Sequence, residues 1–149
     1  PDLPIKTKEE LVILASIVEK ETGRADERPL VAGVFINRLE KGMRLQSDPT
    51  IIYGLFGGAG KPSDRPIYKS DLEKPTDYNT YVINGLPPTP IANPGAESIA
   101  AVLNPAESRA LFFVADGTGG HAFAATYAEH QRNVARWRQI ERARRIAGD

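Results

Sequence analysis

The sequence predicts an α+β fold in which helices dominate, and three observations carry that reading. Four longer stretches bear clear helix signals, one pair of apolar runs reads as a β-hairpin, and a long Gly- and Pro-rich middle, with room only for short elements, interrupts both kinds of periodicity. The 149 residues fit a single domain, 1–149, and a globule of that size buries roughly 68–70% of the surface of its unfolded chain. A core of ordinary size is within reach.

The first helix is expected over Lys8 to Thr22. Thr7 and Glu10 form a T-x-x-E capping box, Leu11, Leu14, Ala15 and Val18 recur at helical spacing, and Gly23 suits a C-terminal cap. A second helix is expected over Glu27 to Lys41, with Asp26 as N-cap, Pro29 in the first turn and Gly42 as its stop. Met43 to Gly95 is rich in punctuation, notably GLFGGAGKP and GLPPTPIANPG, and so long an irregular span points to function. Within it, short helices are expected at Pro49 to Tyr53 and Lys69 to Glu73, and a short strand at Tyr81 to Ile83. A helix at Ala96 to Leu103 follows, then a β-hairpin made by ALFFVAD and HAFAAT across a Gly-rich turn. The last helix starts at a second capping box, Thr126 to Glu129, and runs to about Ile146. Its RWRQIERARR tail reads first as a solvated face and second as a membrane or partner surface.

Composition excludes several kinds of function. Nineteen basic and 19 acidic residues balance to zero formal charge, against the basic patch that nucleic-acid capture requires. Without cysteine there is no disulfide frame, thiol nucleophile or thiolate metal site, and His121 and His130 alone do not make a metal-ligand spacing. No metal or cofactor is expected. The glycines of GLFGGAGKP lack the strand, helix and G-K-[ST] ending of a phosphate loop, and no G-x-S-x-G elbow is present. No apolar run approaches the ~18 residues of a membrane span. The chain begins with Pro1 rather than Met, so an excised piece of a longer protein is expected.

One carboxyl group stands out. In ILASIVEKETG, helical spacing lays Glu21 over Val18 and Ile17, whereas Glu19 neighbours Ser16 and Ala15 and reads as the solvated one. Apolar neighbours and the negative end of the helix both disfavour a carboxylate at Glu21, which suits a general acid. The competing reading pairs Glu21 with Arg24, Arg28 or Arg38. Ser47, ahead of Asp48 and Pro49, reads as a capping turn. Gln46, Asp48, Tyr78, Asn79, Tyr81, Asn84 and Asn93 supply polar and aromatic groups that suit sugar rings, and equally suit turns and half-buried packing.

The segments LASIVEKET, VFINRLEKGMRLQSDPTIIYGL, YNTYVINGLPPTPIANPG, LNPA, LFFVADGTGGHAF and YAEHQRNV occur in an order and spacing that resemble the endolytic murein transglycosylases of the YceG-like family, from about Thr7 to Trp137. The resemblance implies a lytic transglycosylase of peptidoglycan that cuts the bond between N-acetylmuramic acid and N-acetylglucosamine in nascent strands and leaves 1,6-anhydromuramoyl ends. It implies a bacterial inner-membrane protein facing the periplasm or cell wall, anchored through a segment outside this chain, with glycan strands as partner and peptidoglycan synthases as further candidates. The family's catalytic glutamate falls on Glu21. Gln46, Asp48, Tyr78, Asn79 and Asn93 lie in the matching motifs and are the expected substrate-binding residues, with His121 as a further candidate from the hairpin. Two alternatives stand beside this: a peptidoglycan-binding or synthase-recruiting module, and a glycan hydrolase that uses Asp48 as a second carboxylate.

Overall fold

The computed structural model describes residues 3–62 and 65–148. Helix α1 spans Lys8–Glu21, and the Thr7 side chain accepts the Glu10 N–H at its start. Glu10 does not close the capping box on Thr7; its carboxylate accepts the Lys6 N–H one residue earlier, at 2.6 Å. The helix ends as Thr22 turns extended, so Gly23 supplies no left-handed cap.

Helix α2, Arg28–Glu40, has Pro29 in its first turn and stops before Gly42, whose φ of 70° only glycine adopts freely. Its N-cap is Glu27 rather than Asp26. Asp26 is drawn off by a bidentate pair with Arg24, at 3.1 and 2.8 Å.

The middle is better ordered than its punctuation suggests. Helix α3 runs over Asp48–Phe56, longer at both ends than expected, a 3₁₀ turn covers Gly57–Ala59, and α4 is a single turn at Lys69–Leu72. The strand expected at Tyr81 to Ile83 does not form. Asn79 turns the chain there instead, because its carbonyl accepts the Val82 and Ile83 N–H groups and its side-chain oxygen accepts that of Tyr81.

Helix α5 covers Ala96–Leu103 as expected. Strands β1, Phe112–Ala115, and β2, His121–Ala124, pair antiparallel with Phe113 opposite Phe123, and α6 extends from Tyr127–Ile146 behind a Thr126 cap.

Helices α1, α2 and α5 pack on one another to form the core. Leu14, Ile17 and Val18 of α1, Val31 and Phe35 of α2 and Val102 of α5 are fully buried, each contributing about 1.5–3 kcal/mol of apolar transfer. Gly33 lets α2 approach the chain after α5: a Cβ there would lie 2.9 Å from the Ala106 carbonyl oxygen. The hairpin then seats Phe113 edge-on against Phe35, with ring centres 5.9 Å apart. Helix α6 packs on both strands of the hairpin and buries no residue fully, and its arginine-rich tail is mostly exposed, as either reading of that tail requires.

Candidate active site

The two glutamates near the end of α1 meet opposite surroundings. Glu19 is not left to solvent: its Oε1 accepts the Gly95 N–H and the Ser98 hydroxyl, both at 2.9 Å, and so holds the start of α5. Those hydrogen bonds favour the carboxylate and lower its pKa. Glu21 occupies the last helical position, facing a pocket of about 220 Å³. Burial is the largest influence on it and raises its pKa to about 7; the Ser47 hydrogen bond opposes the rise and the negative charge of Asp48 adds to it.

None of the three arginines expected as partners of Glu21 pairs with it. Arg24 is paired with Asp26 and Arg28 with Glu97. Arg38 turns inward, donating from Nε to the Leu111 carbonyl at 2.6 Å and from Nη1 to the Arg44 carbonyl at 2.8 Å. Among the described residues, no ion pair involves Glu21.

The partner that Glu21 does have is a hydroxyl. Ser47 Oγ donates to Glu21 Oε2 at 2.7 Å. Ser47 precedes α3 as a capping residue should, yet its side chain makes no cap bond, since that hydroxyl is committed to Glu21. Its backbone is fixed from behind. The Ser47 N–H donates to Thr80 Oγ1 at 2.8 Å, the Thr50 hydroxyl donates to the Ser47 carbonyl at 2.6 Å, and the two threonine oxygens lie 2.8 Å apart. Ser47, Thr50 and Thr80 are all buried. Just before them, Gln46 takes a φ of 53°, the one non-glycine among the described residues with positive φ, a conformation that costs of order 1–3 kcal/mol.

Asp48 lines the same pocket and accepts the Tyr81 hydroxyl on Oδ1 at 2.7 Å. Burial, with the charge of Asp48 after it, pushes the Tyr81 phenol far above its ordinary range, so it serves as a donor. The opposite wall comes from the hairpin and α6. Phe112 lies beneath the Arg38 guanidinium at 5.0 Å and stacks on His130 with ring centres 4.9 Å apart, and Tyr127 stands beside them.

The expected site residues therefore divide. Glu21, Gln46 and Asp48 share the pocket. Tyr78 does not line it: its ring packs on Tyr53 at 4.8 Å and its hydroxyl lies 2.7 Å from that of Thr89. Asn79 is buried, donating to the Leu72 and Lys74 carbonyls at 3.0 and 2.7 Å, and touches the pocket lining through the Tyr81 N–H that its side-chain oxygen accepts. Asn93 is exposed and away from the pocket. His121 pins the hairpin to α2, with its N–H and Nδ1 on the two oxygens of Glu27 at 2.8 and 2.7 Å.

Arg38, Ser47, Tyr127 and His130 also line or shape the site; the sequence reading took Arg38 as a possible ion-pair partner of Glu21, Ser47 as a capping turn and His130 only as a poor metal ligand, and did not single out Tyr127. For the last two a signal was present, since positions three apart on a helix share a face. Among the described residues no group of three or more His, Asp and Glu is placed to hold a metal ion, and no helix is long and apolar enough to cross a membrane.

A helix-dominated domain thus holds a half-buried carboxyl group that joins no ion pair among the described residues and faces a polar and aromatic pocket. Comparison with known proteins narrows the class. The YceG-like family model matches residues 1–136, and the chain belongs to that family. It is 44% identical over 122 residues to the endolytic murein transglycosylase of Bacillus subtilis strain 168, covering 82% of this chain and 32% of that protein. Against the endolytic murein transglycosylase of Streptococcus pneumoniae serotype 2 the identity is 39% over 132 residues, covering 87% and 24%. The chain thus spans a third or less of these relatives. A crystal structure of a yceG-like protein from Listeria monocytogenes superposes with a TM-score of 0.73 at 40% identity, covering 83% of this chain and 38% of that one.

Proposed function

We propose that this chain is the catalytic domain of an endolytic peptidoglycan lytic transglycosylase, with Glu21 as its acid and then its base. The observation that carries the reading is the Glu21 carboxyl group itself, half-buried at the edge of the pocket, outside every ion pair among the described residues, with its pKa pushed up to about 7 by burial. The names of the relatives at 39–44% identity supply the substrate class.

Ordinary glycosidases divide the work between two carboxyl groups, one to protonate the leaving oxygen and one to attack or to activate water. A lytic transglycosylase needs only one. Protonated Glu21 donates to the glycosidic oxygen, the bond from the muramoyl anomeric carbon to that oxygen breaks, and N-acetylglucosamine leaves with a 4-hydroxyl. The muramoyl 6-hydroxyl then bonds to the same anomeric carbon and gives its proton to the Glu21 carboxylate, which restores the acid and leaves a 1,6-anhydro end. Because the nucleophile is part of the substrate, its proximity comes free of association entropy.

Ser47 is the positioning residue. With Oε2 occupied as acceptor, the mobile proton of Glu21 is left to Oε1. Asp48, steadied by Tyr81, places negative charge where the sugar becomes cationic. Its presence in the same pocket also favours a second reading, hydrolysis with Asp48 as the other carboxylate.

Mass spectrometry of uncrosslinked glycan strands, treated with the wild-type chain and with Glu21→Gln, separates these. Anhydromuramoyl ends that fall by about 10²–10⁴-fold in the variant support the lytic reaction. Reducing ends that have gained water identify a hydrolase, and strands that bind without being cut identify a binding module.

A further inference from the structure

The proton transfer proposed for Glu21 uses no group from the hairpin side of the pocket, and the construction of that side is unusual for an outer surface. Tyr127 is 61% exposed although it lines the pocket. Its ring centre lies 5.8 Å from that of Phe112 and 6.3 Å from that of His130, while His130 and Phe112 stack with their planes only 19° apart. Phe112 is in turn covered by Arg38. The supporting rings are therefore fixed, and the outermost one presents itself to solvent.

An exposed tyrosine in the first turn of a helix gains little from burial, and Tyr127 makes no hydrogen bond with the described residues that would explain its placement. The ring surface itself is apolar. His130 has its pKa lowered, first by burial and then by the Arg38 charge, which favours the neutral ring. Gln46, Asp48 and Arg38 border the same pocket with hydrogen-bonding groups.

A pyranose ring has matching anisotropy: axial C–H bonds give it apolar faces, and its hydroxyl and N-acetyl groups make a polar rim. Aromatic faces take the first, fixed polar side chains the second. The geometry points to Tyr127, backed by Phe112 and His130, as a stacking platform for one pyranose ring of the bound glycan, adjoining the bond that Glu21 cleaves. This assignment rests on the glycan-cleaving reading above and adds to it a specific saccharide contact on α6.

The test uses peptide-free strands of alternating N-acetylglucosamine and N-acetylmuramic acid, titrated by calorimetry into Glu21→Gln, which holds strands without cutting them. Tyr127→Phe and Tyr127→Ala are then added in that background. Loss of about tenfold in affinity for the alanine variant, with the phenylalanine variant within about twofold of its parent, is the expected result. Equal affinity in all three overturns the platform and leaves the glycan reading standing. Absence of binding to Glu21→Gln itself overturns both. Tyr127 is exposed, so its truncation leaves the fold in place, and thermal melting of each variant checks that.

Discussion

Glu19 and Glu21 show how little of a side chain's chemistry resides in its type. Two residues apart on one helix, one is anchored as a carboxylate by hydrogen bonds to the start of α5, and the other is pushed toward its neutral form by burial. Glu21 carries a stability penalty as a result. Its pKa is 4.5 when unfolded and about 7 when folded, so unfolding is favoured progressively as pH rises through that window and by a constant amount above it. Glu21→Gln should therefore raise stability by about 3 kcal/mol above pH 7 and by little below pH 4, while activity collapses. Denaturant melts at the two pH values check this. The two neighbours of Glu21 act in opposite directions. Ser47→Ala removes a bond that favours the carboxylate, so the fall of activity at alkaline pH should move to higher pH; Asp48→Asn removes a repelling charge, so it should move to lower pH. A pH–rate profile in which both variants shift the same way contradicts the assignment. The exceptional character of Glu21 was legible from its helical neighbours. Ser47 was not, because nothing in SDP distinguishes a hydroxyl that caps its own helix from one that reaches a residue 26 positions away.

At the scale of elements, α1, α2, α5, the hairpin and α6 lay close to where periodicity and caps put them, since each buries its own regular stripe or announces its own ends. The boundaries that moved did so for tertiary reasons. Asp26 lost the α2 cap to a pairing with Arg24, and Glu10 reached Lys6 instead of Thr7. The Tyr81 to Ile83 segment has the composition of a strand, but a strand needs a neighbour to pair with, and Asn79 satisfies its N–H groups locally. That turn is the support of the site. Asn79→Ala should cost about 1–3 kcal/mol by removing a buried amide that donates to the Leu72 and Lys74 carbonyls. Activity should fall further than stability accounts for, because Tyr81 and Thr80 follow directly. Thermal melting set beside the cleavage rate at a temperature well below the transition separates the two effects.

The molecule as a whole has a firm interior and a loosely held margin. Its fully buried side chains lie mostly on α1 and α2 with Val102 of α5, whereas α6 runs for 20 residues without burying one. Amide hydrogen exchange should accordingly be slowest in α1 and α2 and fastest toward the end of α6, beyond the limit of the family match at residue 136. Comparable protection along all of α6 would mean that something covers it. The pocket straddles this division, with Glu21 on the firm side and Tyr127 and His130 on the loose one. On the proposed reading, a saccharide that touched both walls should act as a reversible staple between the first helix and the last: it would shorten the effective loop that joins them and stiffen the margin while the strand is held.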